Sequence, residues 1–283
     1  MLTNMKNLDK DIIIFSDIDG SFMNHNDYSF EELKPFVDKI SQISQIIFVS
    51  SKTYAEIIKL KKKLKISFPF VVENGACIFF PKNYFKKIKS KINFFEIGDH
   101  IGCKISKFVS SDYKIRLNFL KKEFNFKFFS EMSISNSKKI TNLDSSNLID
   151  SKKRMFTDPI FWQDKENKIF DFQSRLKDLH LKTSYGGRFI HVSDNFNKGK
   201  SIRKLLNLIN VNQNKTRLTI SLGDSNNDVS MLEITDYSCI VKNIKKKNLI
   251  LKKSTNKYYS KSIAPEGWKE SLIQIFKKEK IYF

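Results

Sequence analysis

The chain has 283 residues, with 51 Lys and Arg against 30 Asp and Glu, a formal charge of +21. Aliphatic and aromatic residues make up 40% of it, enough for a packed interior, which excludes a wholly disordered chain; the length suits a core domain with a second, smaller one. Only six of the basic residues are Arg and 45 are Lys. The charge therefore reads as a lysine-rich surface rather than as arginine-based readout of nucleic acid, and no nucleic-acid partner is expected.

Residues 12–15 (IIIF) form an unbroken β-branched and aromatic run ending in SDIDG at 16–20. Such a run reads as a strand buried on both faces, as in a parallel sheet. A helix is expected from about Ser29, where Ser-Phe-Glu-Glu offers an N-cap and an acidic first turn. A second strand follows at 46–49, then the polar turn SSKT at 50–53, then a helix with Ile57, Leu60 and Leu64 on one face. A third strand at 70–72 ends in Glu73-Asn74-Gly75. This βαβαβ order is that of a doubly wound parallel sheet.

From about Lys82 to Ser193 the rhythm breaks, and Lys, Phe and Ser become denser. Residues 188–193 alternate as a half-exposed antiparallel strand does. The αβ pattern then resumes: a helix opening at 197–200, a strand at 218–222 leading into GDSNND at 223–228, and a strand at 238–241. The expected fold class is α/β. A Rossmann-like doubly wound parallel sheet is built from residues 1–81 and 194–283 and interrupted by an inserted α/β domain at 82–193.

The acidic turns carry the chemistry. Asp17 and Asp19 sit where the first strand ends, and ligands of open α/β sheets bind outside the carboxyl ends of strands. Alone, this pair reads equally as a hard-cation site or as a solvated Asx-turn. Asp224 and Asp228 form a second such turn, and two acidic turns converging on one edge repel unless a cation such as Mg²⁺ joins them. Ser50 and Lys198 fall at the same edge, where a hydroxyl and an ammonium would hold phosphate oxygens; taken singly, each reads as an ordinary surface residue.

Other residue types bound the setting. Three cysteines (77, 103 and 239) without metal or redox spacing fit thiols in a reducing compartment. The four histidines lack metal spacing, and His191 reads as a strand residue. Neither a run of about 18 apolar residues nor a signal peptide is seen, so a cytoplasmic protein without a membrane partner is expected.

The runs FSDIDGS, VSSKT, NKGKS and GDSNND resemble, in order, the four motifs of the haloacid dehalogenase-like (HAD) phosphatase superfamily. The insertion between the second and third is similar to its α/β cap of the C2 type (C2B). The resemblance implies Asp17 as a nucleophile that forms an aspartyl-phosphate and Asp19 as general acid/base. It further implies Ser50 and Lys198 as phosphate-holding groups, and Mg²⁺ held by Asp17, Asp19, Asp224 and Asp228. Ser21 stands where the first motif usually has Thr, which keeps the hydroxyl.

SSKTYAEI, PFVVENGACIFFP, RMFTDPIFW, GGRFIHV and APEGWKESL are similar to the mannosyl-3-phosphoglycerate phosphatase family. That likeness implies hydrolysis of mannosyl-3-phosphoglycerate to mannosylglycerate and phosphate, with the glucosyl compound or another sugar phosphate as the alternative. It places substrate contacts at Arg154, Asp158, Gly187 and Arg188 in the cap. Asp158-Pro159 stands where that family usually has Glu-Pro, a shorter carboxylate. Arg154 and Arg188 read either as forks for the substrate's carboxylate or phosphate or as salt bridges within the cap, Arg188 to Asp158 for example. Gly186-Gly187 reads as a close backbone approach to the ligand or as a hairpin turn. The oligomeric state is left open.

Overall fold

A computed structural model describes residues 10–84, 94–186, 188–209, 216–244, 249–252 and 255–283. β1 (Lys10–Ser16) is the central strand. Its side chains alternate between two cores: Ile12 and Ile14 enter one cluster, Ile13 and Phe15 the other, all fully buried. That is why the run shows no polar alternation. α1 (Lys34–Ile40), β2 (Ser44–Phe48), α2 (Tyr54–Lys63) and β3 (Phe70–Val72) follow. The expected cap at Ser29 is not formed. The helix begins one residue later, as a 3₁₀ turn at Glu31–Leu33 with Phe30 at the cap position, and the Ser29 hydroxyl donates to Asp27 Oδ1 instead, at 2.7 Å.

β4 (Cys77–Pro81), β5 (Phe94–Ile97) and β6 (His100–Lys104) come next and pair antiparallel in the order β3-β4-β6-β5. A parallel bridge from Val49 to Val71 joins this group to β2. Phe95, Ile97 and Ile105 pack on the same core as Ile12. The sheet thus continues through Lys104, beyond the break in rhythm at 82. The hairpin reads as foreign because β5 is only half-buried, so its strand pattern is weak.

The chain then builds a separate unit: α3 (Ser110–Asn118), β7 (Phe126–Phe128), α4 (Ile134–Thr141), α5 (Ser145–Lys152), β8 (Ile160–Trp162), α6 (Ile169–Asp178), β9 (Lys182–Gly186) and β10 (Phe189–Ser193). Its antiparallel sheet runs β7-β8-β10-β9. α3 and α6 cover one face through Tyr113, Leu117, Phe172 and Leu176, while Leu148 of α5 packs with Phe129 and Met132 in a second cluster.

α7 (Lys198–Leu208), β11 (Thr216–Gly223), α8 (Val229–Leu232), β12 (Tyr237–Lys242), β13 (Lys257–Ile263) and α9 (Glu266–Lys278) complete the core. The parallel sheet is ordered β13-β12-β11-β1-β2, with α2 and α9 packed into one cluster and α7 and Met231 of α8 into the other. Among the described residues no helix is long and apolar enough to cross a membrane.

Candidate active site

β1 ends at Asp17, which is buried. The hydroxyl of Ser16 donates to the Asp17 carbonyl at 2.6 Å and accepts from Trp268 Nε1 at 2.8 Å, so helix α9 braces the strand end. Gly20 adopts φ +84°, and a Cβ there would lie 2.8 Å from Asp224 Oδ2. The turn therefore brings backbone against the second acidic loop in a way only glycine allows. On that loop, Asp228 Oδ2 accepts from the backbone N–H of Asp224 and of Ser225, both at 3.0 Å. Asn243 Nδ2 donates to Asp224 Oδ2.

Lys198 opens α7 behind the Asn197 cap, whose Oδ1 accepts from Lys200 N–H at 2.8 Å. It is fully buried, with Nζ 2.6 Å from Asp17 Oδ1 and 2.7 Å from Asp228 Oδ1. Asp17, Asp224 and Asp228 each offer an oxygen within 4.8 Å of the others. Asp17 and Asp228 share one ammonium, and Asp224 adds a third carboxylate to the same point. An all-oxygen donor set of that kind suits a hard divalent cation. Without one, burial above all pushes Asp17 up to about 8; Lys198 opposes this, and Asp228 and Asp224 add to it. Burial alone would lower Lys198, but Asp17 and Asp228 outweigh it and hold the ammonium above its usual range.

Of the four acids expected at the metal, the structure brings together three. The Asp19 carboxylate is not in the cluster: its Oδ1 lies 3.0 Å from Lys52 Nζ. Lys52 also reaches Glu56 Oε1 at 3.4 Å. Ser50 is buried where β2 ends, its hydroxyl accepting from Lys52 N–H at 3.3 Å. Above these groups a cleft of about 230 Å³ opens between the two units. Asp17 and Asp19 form its floor, Tyr28 and Lys52 one wall, and Phe129, Arg188, Phe189 and His191 the other.

The residues expected to bind substrate divide. Arg188 is exposed and lines the cleft. Arg154 lines it too, but its guanidinium is engaged with Thr157 Oγ1 at 2.8 Å and the Ser51 carbonyl at 3.2 Å, and lies 3.5 Å from Glu73. Asp158 does not reach the cleft. Its buried carboxylate accepts from Ser130 Oγ at 2.6 Å and pairs with Lys114 at 3.4 Å, because Pro159 rather than Asp158 faces the opening. The salt bridge suggested between Arg188 and Asp158 is thus replaced by one to Lys114. Gly187 lies outside the described residues. Sequence reasoning did not single out Lys52, Asn243 or Glu73. Lys52 and Glu73 sit inside the SSKT and ENGA segments, whose likeness was the available signal; Asn243 lay in none.

A family model described as haloacid dehalogenase-like hydrolase matches residues 14–267. A glucosyl-3-phosphoglycerate/mannosyl-3-phosphoglycerate phosphatase from Persephonella marina is 32% identical over 271 residues, covering 93% of this chain and 97% of its own. A protein of the same name from Methanococcoides burtonii is 31% identical over 274 residues, 94% and 97% respectively. Among solved structures, one from Thermoplasma acidophilum superposes with a TM-score of 0.63 at 16% identity, over 96% of this chain and 99% of that one. A HAD subclass IIB sugar phosphatase gives 0.61 at 15%, over 95% and 99%. These structural likenesses establish the same fold. With the acidic floor, the buried lysine and the matched length, they lead to one assignment: the chain belongs to the haloacid dehalogenase-like hydrolases, in the branch that holds the glucosyl-3-/mannosyl-3-phosphoglycerate phosphatases.

Proposed function

We propose that this enzyme is a Mg²⁺-dependent phosphatase hydrolysing a glycosyl-3-phosphoglycerate, the mannosyl compound foremost, to the glycosylglycerate and phosphate. The observation that carries the reading is the buried Asp17 held by Lys198 at the floor of a cleft whose opposite wall presents Arg188. The names of both curated relatives support a mannosyl or a glucosyl substrate equally. The unit between β6 and α7 is assigned as the cap. The three buried free cysteines are in keeping with the cytoplasm.

In this reading a carboxylate oxygen of Asp17 attacks phosphorus in line, and the bond to the glycerate 3-oxygen breaks as the aspartyl-phosphate forms. Asp19 lines the cleft beside Asp17 and protonates the leaving oxygen. It then takes a proton from the water that attacks the aspartyl-phosphate, which releases phosphate and restores Asp17. Lys198 neutralises phosphoryl oxygens and orients Asp17, and Ser50 offers its hydroxyl to the same group. Asp17, Asp224 and Asp228 would hold Mg²⁺, which supplies further charge compensation for those oxygens. Arg188, set on the far wall, suits the substrate's carboxylate.

The test is a panel of phosphate esters on the purified enzyme, with released phosphate measured. Mannosyl- and glucosyl-3-phosphoglycerate are expected to exceed simple hexose phosphates in kcat/KM by about tenfold or more, the scale of one satisfied charged contact. A hexose phosphate as the preferred substrate would overturn the assignment.

A further inference from the structure

The turn after β3 takes no part in the steps above, yet it holds a buried carboxylate. Glu73, Asn74 and Gly75 have φ of +50°, +61° and +104°, three successive residues in the left-handed region. Backbone held there persists only where surroundings over-determine it. Those surroundings lie on both sides of the cleft.

On the cap side, Glu73 Oε1 accepts from Met155 N–H at 2.9 Å. Its Oε2 accepts from Phe156 N–H at 3.2 Å, Thr157 N–H at 2.7 Å and the Thr157 hydroxyl at 2.6 Å. All four donors belong to the link between α5 and β8. On the core side, the Gly75 carbonyl accepts from Ser201 Oγ of α7 at 2.6 Å. Asn74 Oδ1 accepts from Asn227 Nδ2, on the loop of Asp224 and Asp228, at 3.1 Å. One turn is thus tied to the helix of Lys198, to the acidic loop and to the cap.

We infer that Glu73 is a positioning residue that seats the cap in register over Asp17. Only a group with two acceptor oxygens suits four converging donors; an amide would set its own N–H₂ against the Thr157 and Phe156 donors. A buried donor left unmatched costs more than the bond it made, so the 154–157 link has a second position only without Glu73. Loss of the seat moves Arg188 and Phe189 relative to the floor and leaves the floor intact.

The inference rests on the proposed substrate for its kinetic test alone. For Glu73→Gln, kcat/KM toward mannosyl-3-phosphoglycerate is expected to fall about tenfold or more, chiefly through KM, while p-nitrophenyl phosphate, which needs no cap contact, stays within about twofold. Parallel loss on both substrates, or loss on neither, overturns it. Amide hydrogen exchange gives a second reading independent of substrate. Residues 155–157 are expected to exchange at least about tenfold faster in the variant, with β1 and β11 unchanged. Unchanged protection at 155–157, or equal loss in the strands, overturns the seat. If the wild-type enzyme hydrolyses p-nitrophenyl phosphate but no glycosyl-3-phosphoglycerate, the substrate reading fails and the exchange result decides Glu73.

Discussion

Lys198 is a fully buried charge and Asp17 its nearest partner, so each keeps the other's charge tolerable in a place water does not reach. Asp228 completes that arrangement with both oxygens in use, one on Lys198 and one on its own loop's N–H groups. In the proposed mechanism, replacing Asp17 by Asn keeps volume and removes the attacking carboxylate. Asp17→Asn is expected to lower phosphate release by about a thousandfold or more with circular dichroism unchanged, and turnover near the wild-type rate would remove the nucleophile assignment. At this scale Asp17, Asp224, Asp228 and Lys198 were legible in the sequence, since each directly follows a strand or opens a helix. Asp158 was misread. Its partners, Ser130 and Lys114, sit 28 and 44 positions away, and nothing local distinguishes a carboxylate turned inward from one turned to the cleft.

The helices hold the site by close packing. Gly199 follows Lys198 in α7, and a Cβ there would lie 2.1 Å from the Ser230 carbonyl of α8. The two helices therefore approach backbone to backbone beside Lys198. Gly199→Ala is expected to destabilise the protein by roughly 1–3 kcal/mol, the cost of overpacking, and to lower activity by displacing Lys198. A melting temperature and kcat both equal to wild type would show that the contact carries nothing. The buried strand β1 was plain from its apolar run at 12–15, because a strand covered on both faces shows no polar alternation. Strand β11 was legible through Leu218, Ile220 and Leu222, although Thr219 and Ser221 between them are polar and buried. The β5–β6 hairpin was not: with one side half-exposed, its hydrophobic signal sinks to that of a surface loop. The helix expected from about Ser29 forms, but its expected cap does not, since the nearby carboxylate of Asp27 takes the Ser29 hydroxyl.

Across the whole molecule, a core sheet supplies the floor and a separate unit supplies the roof, with the cleft between them. The three acids gathered at that floor stand inside a chain of formal charge +21. EDTA is expected to abolish activity and Mg²⁺ to restore it. Added Mg²⁺ should also raise the melting temperature, because a ligand that binds only the folded state stabilises it. Hydrolysis that persists after chelation would remove the metal from the reading. A lysine-rich surface would draw in the proposed anionic substrate, so added salt is expected to lower kcat/KM rather than kcat.

The sequence by itself determined the parallel core and the acids gathered at its edge, because both are local: the central strand carries an unbroken apolar run, and the carboxyl ends of strands are where ligands of open α/β sheets bind. The tertiary structure alone decided which charges meet. Lys52 with Asp19, Lys114 with Asp158 and Glu73 with the 155–157 amides each join residues that are 33 or more positions apart. The tertiary structure also decided that the chain leaves the first unit after β6. Such pairings follow from how two units pack, and no local pattern encodes them.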